Sequence, residues 1–234
     1  MLRGTKSTLA VLVSVAIGFC ADRAVAQEVD SVELAFTGDF LGSRVFPESG
    51  QGWFAVRQTP AGITLSETRI EVSQAPNVCA GTATRIMALD VSEPMFLVRG
   101  LSSFRTGSLD SVLEERRFVY PAEGFSVRLD SGNSFGFQAY GSAAPAVGGV
   151  RVTDYEIRMY QGTRTQTLAE FSAIDWDGPP QLVWAGDLDR DGNLDGLLDL
   201  RTSYAGHLYV LFLSSIAGSG QLVDRAAEFS VGGC

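Results

Sequence analysis

The chain has 234 residues, 45% of them hydrophobic, and 18 basic against 27 acidic side chains give it a net charge of −9 at neutral pH. That balance excludes the basic stripe that nucleic acid requires, and it suits solubility and divalent cations. The only lysine is Lys6 and the only histidine is His207, so lysine-based chemistry is excluded beyond residue 6 and no histidine set exists for catalytic zinc.

In chain order, Arg3 and Lys6 precede an apolar run over residues 9–19, and Ala24-Val25-Ala26 follows as a small-x-small cleavage site. This is the pattern of a secretory signal peptide, residues 1–26, which starts the mature chain at Gln27. A membrane span needs about 20 apolar residues, and neither this run nor any later stretch reaches that length. Phe19 stands before Cys20, where a lipoprotein signal requires a small residue. The expected location is secreted or periplasmic. Cleavage removes Arg3, Lys6 and Arg23 on the basic side and Asp22 on the acidic side, so the net charge moves from −9 to −11. The remainder is long enough for one good core.

Cys20 leaves with the signal, and Cys79 and Cys234 remain as an even pair in an exported protein. The expectation is a disulfide between them. A loop that long is stabilised by roughly 5 kcal/mol in the chain-entropy model, as an upper figure.

Most of the chain alternates with period 2. Val32, Leu34 and Phe36 form a first strand. Residues 53–57 and 63–72 read as a hairpin around Thr59-Pro60-Ala61-Gly62, with a bulge near Glu67 where the apolar phase shifts between Leu65 and Ile70. Further short strands are expected at 86–91, 95–99, 118–120 and 125–129. Ser111 to Glu114 has the spacing of a capping box and predicts one short helix. Residues 141–149, rich in Gly and Ala around Pro145, predict a loop or linker. Residues 150–160 and 163–171 then form a hairpin about Gln161-Gly162, and strands follow at 182–186, 194–200, 208–213 and 222–231. The fold class is all-β, a sandwich or meander of short antiparallel strands. Its expected division is an N-terminal β region, 27–140, and a C-terminal one, 150–234, the two being one domain or two.

Residues 187–195 carry the chemistry: Asp187, Asp189, Asp191 and Asp195 at alternate positions, with Gly192 after the third and Asn193 before the last. Along a curled loop such side chains converge on one point, and Gly192 permits the sharp turn. All the donors are hard oxygens, and no Cys or His lies among them, which selects calcium over zinc or copper. Mutual repulsion of four carboxylates couples local folding to a cation. An EF-hand would place a bidentate Glu at the twelfth loop position, and Leu198 stands there, between strand-like flanks.

The stretch from about 182 to 213 instead resembles the calcium-binding hairpin of FG-GAP and VCBS-type repeats. The resemblance implies a Ca2+ ion held between two strands by Asp187, Asp189, Asp191, the Asn193 carbonyl and Asp195. The pattern occurs once, so the ion site is carried over and the propeller of the family is not. The whole chain also resembles secreted bacterial proteins that bear such an acidic segment near a terminal Cys, which implies no activity.

Other chemistry has less support. His207 would have to serve any Ser-His-Asp arrangement, but no Gly-x-Ser-x-Gly elbow is present, and its expected place is a turn beside Gly206. Asp175 and Asp177 flank Trp176. This segment is an ordinary turn, a carboxylate pair beside a sugar-stacking indole, or, through Asp177, an outer ligand of the same ion. No glycine-rich phosphate loop joins a strand to a helix. The expected function is an exported, calcium-binding, non-catalytic β protein for adhesion or envelope binding, with a protein or glycan partner. The alternative is a secreted, glycosidase-like hydrolase braced by a structural calcium.

Overall fold

A computed structural model describes residues 31–41, 46–111, 117–146, 149–175, 179–201 and 206–232. The protein is all-β: seventeen strands, without a helix among these residues, form three antiparallel sheets.

The first sheet comes from the start of the chain: β1 (Glu33–Ala35), β2 (Gly38–Phe40), β3 (Gly50–Thr59), β4 (Gly62–Asn77), β5 (Gly81–Ala88), β6 (Phe96–Arg99) and β7 (Gly107–Ser108). Its order is β1-β6-β3-β4-β5-β2, with β7 paired to β4. The expected hairpin is β3–β4, turned by Pro60 and Ala61, with Thr59 opposite Gly62. The apolar phase shift is present, since Ile63 and Leu65 are buried and then Thr68 and Ile70. The irregularity in the ladder lies between Gly50 and Trp53 of β3, opposite Thr68 to Ile70 and so close to the expected Glu67, with the extra residue on β3. Gly52, at φ +80°, supplies the left-handed residue there.

Two short strands, β8 (Asp110–Ser111) and β9 (Arg117–Phe118), then pair with a strand much later in the chain. The expected helix starting at Ser111 is corrected at that residue. Ser111 pairs with Gly186, and its hydroxyl donates to the Ala185 carbonyl at 3.2 Å. A long-range ladder has overridden the local capping signal. The rest of that expected helix, 112–116, lies outside the described residues.

The second sheet is a four-strand meander of β10 (Gly124–Arg128), β11 (Ser134–Ala146), β12 (Gly149–Gln161) and β13 (Arg164–Asp175). Residues 141–146 are strand and not linker: Ser142 to Ala146 pair with Thr153 to Gly149. Backbone hydrogen bonds hold this segment although its side chains are small. Gly141 is required at the bulge, because a Cβ there would stand 2.7 Å from Val152 Cγ1. The expected boundary between 140 and 150 therefore falls inside the β11–β12 hairpin.

The third sheet closes the chain with β14 (Gln181–Asp187), β15 (Asp195–Asp199), β16 (Gly206–Leu213) and β17 (Asp224–Gly232), in the order β17-β16-β15-β14-β8, with β9 also on β14. It is the middle layer. One face packs on the first sheet through Trp184, Leu197, Tyr209, Leu211 and Leu213. The other packs on the second sheet through Leu182, Ala185, Leu198, Val210 and Phe212. Both faces being covered explains why 208–213 reads as an unbroken apolar run without alternation. A bulge between Leu182 and Trp184 adds Val183, so Val183 and Trp184 both join the first core. The Trp184 indole meets Phe96 edge-on at 5.6 Å.

Candidate metal centre

β14 and β15 are joined by the acidic loop, so the candidate site hangs from the two most completely buried strands. β14 ends at Asp187 and β15 begins at Asp195, and their neighbours Gly186 and Asp195 are paired across the ladder. The sheet thus fixes the first and last carboxylates of the loop, and the turn has only to place the middle ones.

The turn is shaped by two left-handed residues, Arg190 at φ +63° and Gly192 at φ +82°. Glycine takes this conformation freely, whereas arginine is strained in it. The strain is offset by the amides it aims inward. The Asp191 amide donates to Asp187 Oδ1 at 3.0 Å and to Asp189 Oδ1 at 3.3 Å, and the Gly192 amide donates to Asp187 Oδ2 at 2.9 Å.

Carboxylate oxygens of Asp187, Asp189 and Asp195 lie within 4.8 Å of one another, and all three residues are buried. Asp195 is sealed completely. Its oxygens accept from the Leu188 amide at 2.7 Å, the Ser214 amide at 2.8 Å and the Ser214 hydroxyl at 2.9 Å. Asp189 accepts from the Ser215 hydroxyl. A carboxylate offers about four acceptor sites, so each of the three keeps at least one for a further partner.

Among the described residues no basic side chain supplies that partner. Arg190, the one arginine in the loop, turns its guanidinium outward, donating to the Arg105 carbonyl at 2.8 Å and the Ser108 carbonyl at 3.3 Å. Burial is the main cause that pushes the Asp187, Asp189 and Asp195 carboxyls up, most strongly at Asp195. The charge of Asp191 adds to it at Asp187, those of Asp191 and Asp187 at Asp189, and that of Asp189 at Asp195. Three buried carboxylates, all hard oxygen donors and none neutralised by a cationic side chain, fit a metal ion.

Of the four aspartates expected to bind the ion, these three come together. Asp191 stands outside the group. It is exposed, its carboxylate accepts from the Asn193 amide at 2.8 Å, and it shares the single proton of the Ser214 hydroxyl with Asp195, that oxygen lying 2.9 Å from each. Asn193 is half-buried beside it. Ser214 and Ser215, just past β16, are parts of the centre that the sequence did not reveal. They are distant along the chain and belong to no motif, so no signal marked them.

The other expected features fall elsewhere. Cys79 lies in the β4–β5 turn, its amide bonded to Asn77 Oδ1 at 2.8 Å, while Cys234 is outside the described residues. So are 176–178, with Trp176 and Asp177. His207 belongs to β16 rather than to a turn, with Nδ1 2.6 Å from Oδ2 of Asp199, which is fully buried. The Arg201 guanidinium approaches the same oxygen at 3.0 Å, and the His207 ring stacks on Tyr209. Ser230 donates to the His207 carbonyl, not to its ring. Among the described residues no helix is long and apolar enough to cross a membrane.

No family model, no curated protein and no solved structure matches this chain. Its class is therefore set by fold and site alone: a three-layer all-β protein with a buried acidic centre able to hold a metal ion.

Without metal, the centre has a definite pH signature. The native pKa values of Asp187, Asp189 and Asp195 lie above the unfolded value of about 3.9. The native state therefore binds more protons, and stability falls as pH rises through the raised native values. Asp39, Asp90 and Glu156 are lowered by their arginine partners and act in the opposite sense, chiefly in more acidic solution. Thermal melts in chelator are expected to show a falling melting temperature from about pH 4 toward neutrality. A melting temperature that is flat or rises over that interval counts against buried, unneutralised carboxylates.

Proposed function

We propose that the protein is an exported, calcium-binding, non-catalytic β protein that serves adhesion or envelope binding, and that its ion braces the junction of its three sheets. The observation that carries this reading is the set of three buried carboxylates within 4.8 Å, from which Arg190 turns away. Calcium is favoured among metals because every donor is oxygen and the loop is built from alternating Asp around Gly192. The resemblance of residues 182–213 to FG-GAP and VCBS-type hairpins points the same way.

The bracing role follows from what the loop touches. Arg190 reaches β7 of the first sheet and the segment just before it. The Gly192 carbonyl accepts from Asn133 Nδ2 at 2.9 Å and Ser131 Oγ at 3.3 Å, in the β10–β11 turn of the second sheet. Ser214 and Ser215 come from the third. One ordered loop thus ties all three layers, and ordering it is what a cation would do.

Titration calorimetry of chelator-treated protein with calcium is the test. One binding event is expected in wild type and none in Asp187→Ala. Wild type without a heat of binding would leave the loop an acidic turn. The bracing has its own check. Arg190→Ala removes two bonds at an exposed site and is expected to cost about 1 kcal/mol of stability. Hydrogen exchange should quicken over 101–108, while the heat of calcium binding persists. Unchanged exchange there would show that the loop does not hold the first sheet.

Export and the disulfide are tested together. N-terminal sequencing of protein secreted by its host should begin at Gln27, and unreduced peptide maps should link Cys79 to Cys234. A start at Met1, or two alkylatable thiols at these positions, would refute the respective claim.

A second reading, a hydrolase braced by the same ion, draws on one observation. Asp199 is buried against His207 Nδ1, the orientation that a general base receives from its carboxylate. A nucleophile bonded to that ring is what this reading still requires. A panel of glycosidase, esterase and peptidase substrates separates the two, and turnover lost in His207→Ala would favour the hydrolase.

A further inference from the structure

The outer face of the second sheet carries another organised set of side chains. Phe137, Ala139, Ile157 and Met159 are buried on its inner face. Alternation then turns Gln138 and Tyr140 of β11, and Glu156, Arg158 and Tyr160 of β12, away from the core. Gln138 pairs with Arg158, Tyr140 with Glu156, and Gly136 with Tyr160. Thr167 of β13 pairs with Arg158 on the other side.

Long polar side chains on a solvent-facing sheet ordinarily move freely. These are tied to one another. The Tyr140 hydroxyl donates to Gln138 Oε1 at 2.9 Å and meets the Tyr160 hydroxyl. Arg158 forks onto Glu156 at 2.7 and 2.6 Å and lies over the Tyr140 ring at 4.7 Å. Thr167 donates to the same carboxylate. Gly136 presents no side chain beside Tyr160, whose ring Cδ2 would lie 3.9 Å from a Cβ placed there, so the ring can rest low on the sheet. Side chains already fixed in this way lose little entropy when a ligand arrives.

Three properties of this face select its partner. Arg158 is neutralised by Glu156, Glu170 of β13 stands opposite Glu156 as a further exposed carboxylate, and the chain as a whole is at −9, so this face does not attract polyanions. No aliphatic side chain stands in these rows, so it offers nothing to a lipid surface, and the Glu156 carboxylate at its middle is of the kind depleted from the centre of a protein interface. It does offer aromatic rings beside fixed donors and acceptors. A sugar matches that combination, since its C–H face stacks on an aromatic ring while its hydroxyls both donate and accept. We infer that this face, centred on Tyr140, Tyr160, Gln138 and Arg158, binds a neutral polysaccharide. The inference rests on the non-catalytic binding role proposed above, and it does not depend on the ion.

Native affinity electrophoresis through gels containing laminarin, xyloglucan, galactomannan or soluble starch tests it. Wild type is expected to be retarded by at least one of the four. Tyr160→Ala should bind that polysaccharide about tenfold more weakly, as for an aromatic anchor in other interfaces, with an unchanged melting temperature. Gln138→Ala, a milder change, should weaken retardation measurably and keeps the test available if Tyr160→Ala does not fold. Met87→Ala, on the first sheet, should migrate as wild type. Free migration through all four gels, or retardation undiminished by the two platform substitutions, overturns the inference. Because calcium binding is read separately by calorimetry, failure here leaves the metal reading standing, and the converse also holds.

Discussion

Calcium added to chelator-treated protein is expected to raise its melting temperature by roughly 5–10 °C. At about 100 times the dissociation constant, binding to the native state alone contributes about 2.7 kcal/mol. For a chain of this size each kcal/mol shifts the transition by about 2–4 °C. Extracellular calcium modules work at about 10⁻⁴–10⁻³ M, so millimolar additions and more are the range to scan. Asp187→Ala and Asp195→Ala are expected to abolish the shift, since each removes one of three carboxylates that lie within 4.8 Å. Asp191→Ala should weaken it less, because that side chain stands outside the group and is engaged by Asn193 and Ser214.

Asp189→Asn provides an internal control on sign. It removes one of three buried like charges, so it should raise the melting temperature in chelator and lower it in calcium, bringing the two values together. Ser66→Ala, in the first sheet and remote from the loop in sequence, should change neither. Identical melting of wild type with calcium and with chelator would remove the metal from the account of this loop.

The second large effect is expected at Gly186, one residue before the first carboxylate. A Cβ there would meet the Asp110 carbonyl oxygen at 2.5 Å, Trp184 Cζ2 at 2.6 Å and Ser111 Cα at 3.0 Å. Two of these three are backbone atoms of β8, which pairs with Gly186 and Asp187. The third belongs to a fully buried indole. None can yield cheaply. Gly186→Ala should therefore force β8 off β14 and cost about 3 kcal/mol, at the upper end for overpacking. Because β14 also positions Asp187, calcium affinity should fall with it. Chemical denaturation with and without calcium measures both effects. Gly192→Ala is the comparison. Nothing lies within 4 Å of a Cβ there, so only its left-handed backbone is penalised, by about 1 kcal/mol. If Gly186→Ala were as mild as Gly192→Ala, the close β8–β14 approach would be wrong.

The sequence by itself determined the class of fold, the β3–β4 and β12–β13 hairpins, and the position of the acidic loop. These are local properties: period-2 alternation, turn residues such as Pro60 and Gly162, and four Asp and one Asn at alternate positions around Gly192 act over a few neighbours. Only the tertiary structure decided which faces are covered. The apolar run 208–213 reads the same whether one layer or two lies over it, and the first and second sheets supply both. The small residues 141–146 look like a linker because nothing in their own side chains calls for a strand; the ladder to β12 makes them one. Ser111 looks like a helix cap until Gly186, far along the chain, pairs with it. At the centre, alternation brought four carboxylates to one neighbourhood but could not say which would meet. The β14–β15 ladder fixes Asp187 and Asp195, the left-handed turn at Arg190 and Gly192 brings in Asp189, and Ser214 with Asn193 holds Asp191 aside. The Ser214 contact comes from packing distant along the chain, which the spacing of the loop does not encode.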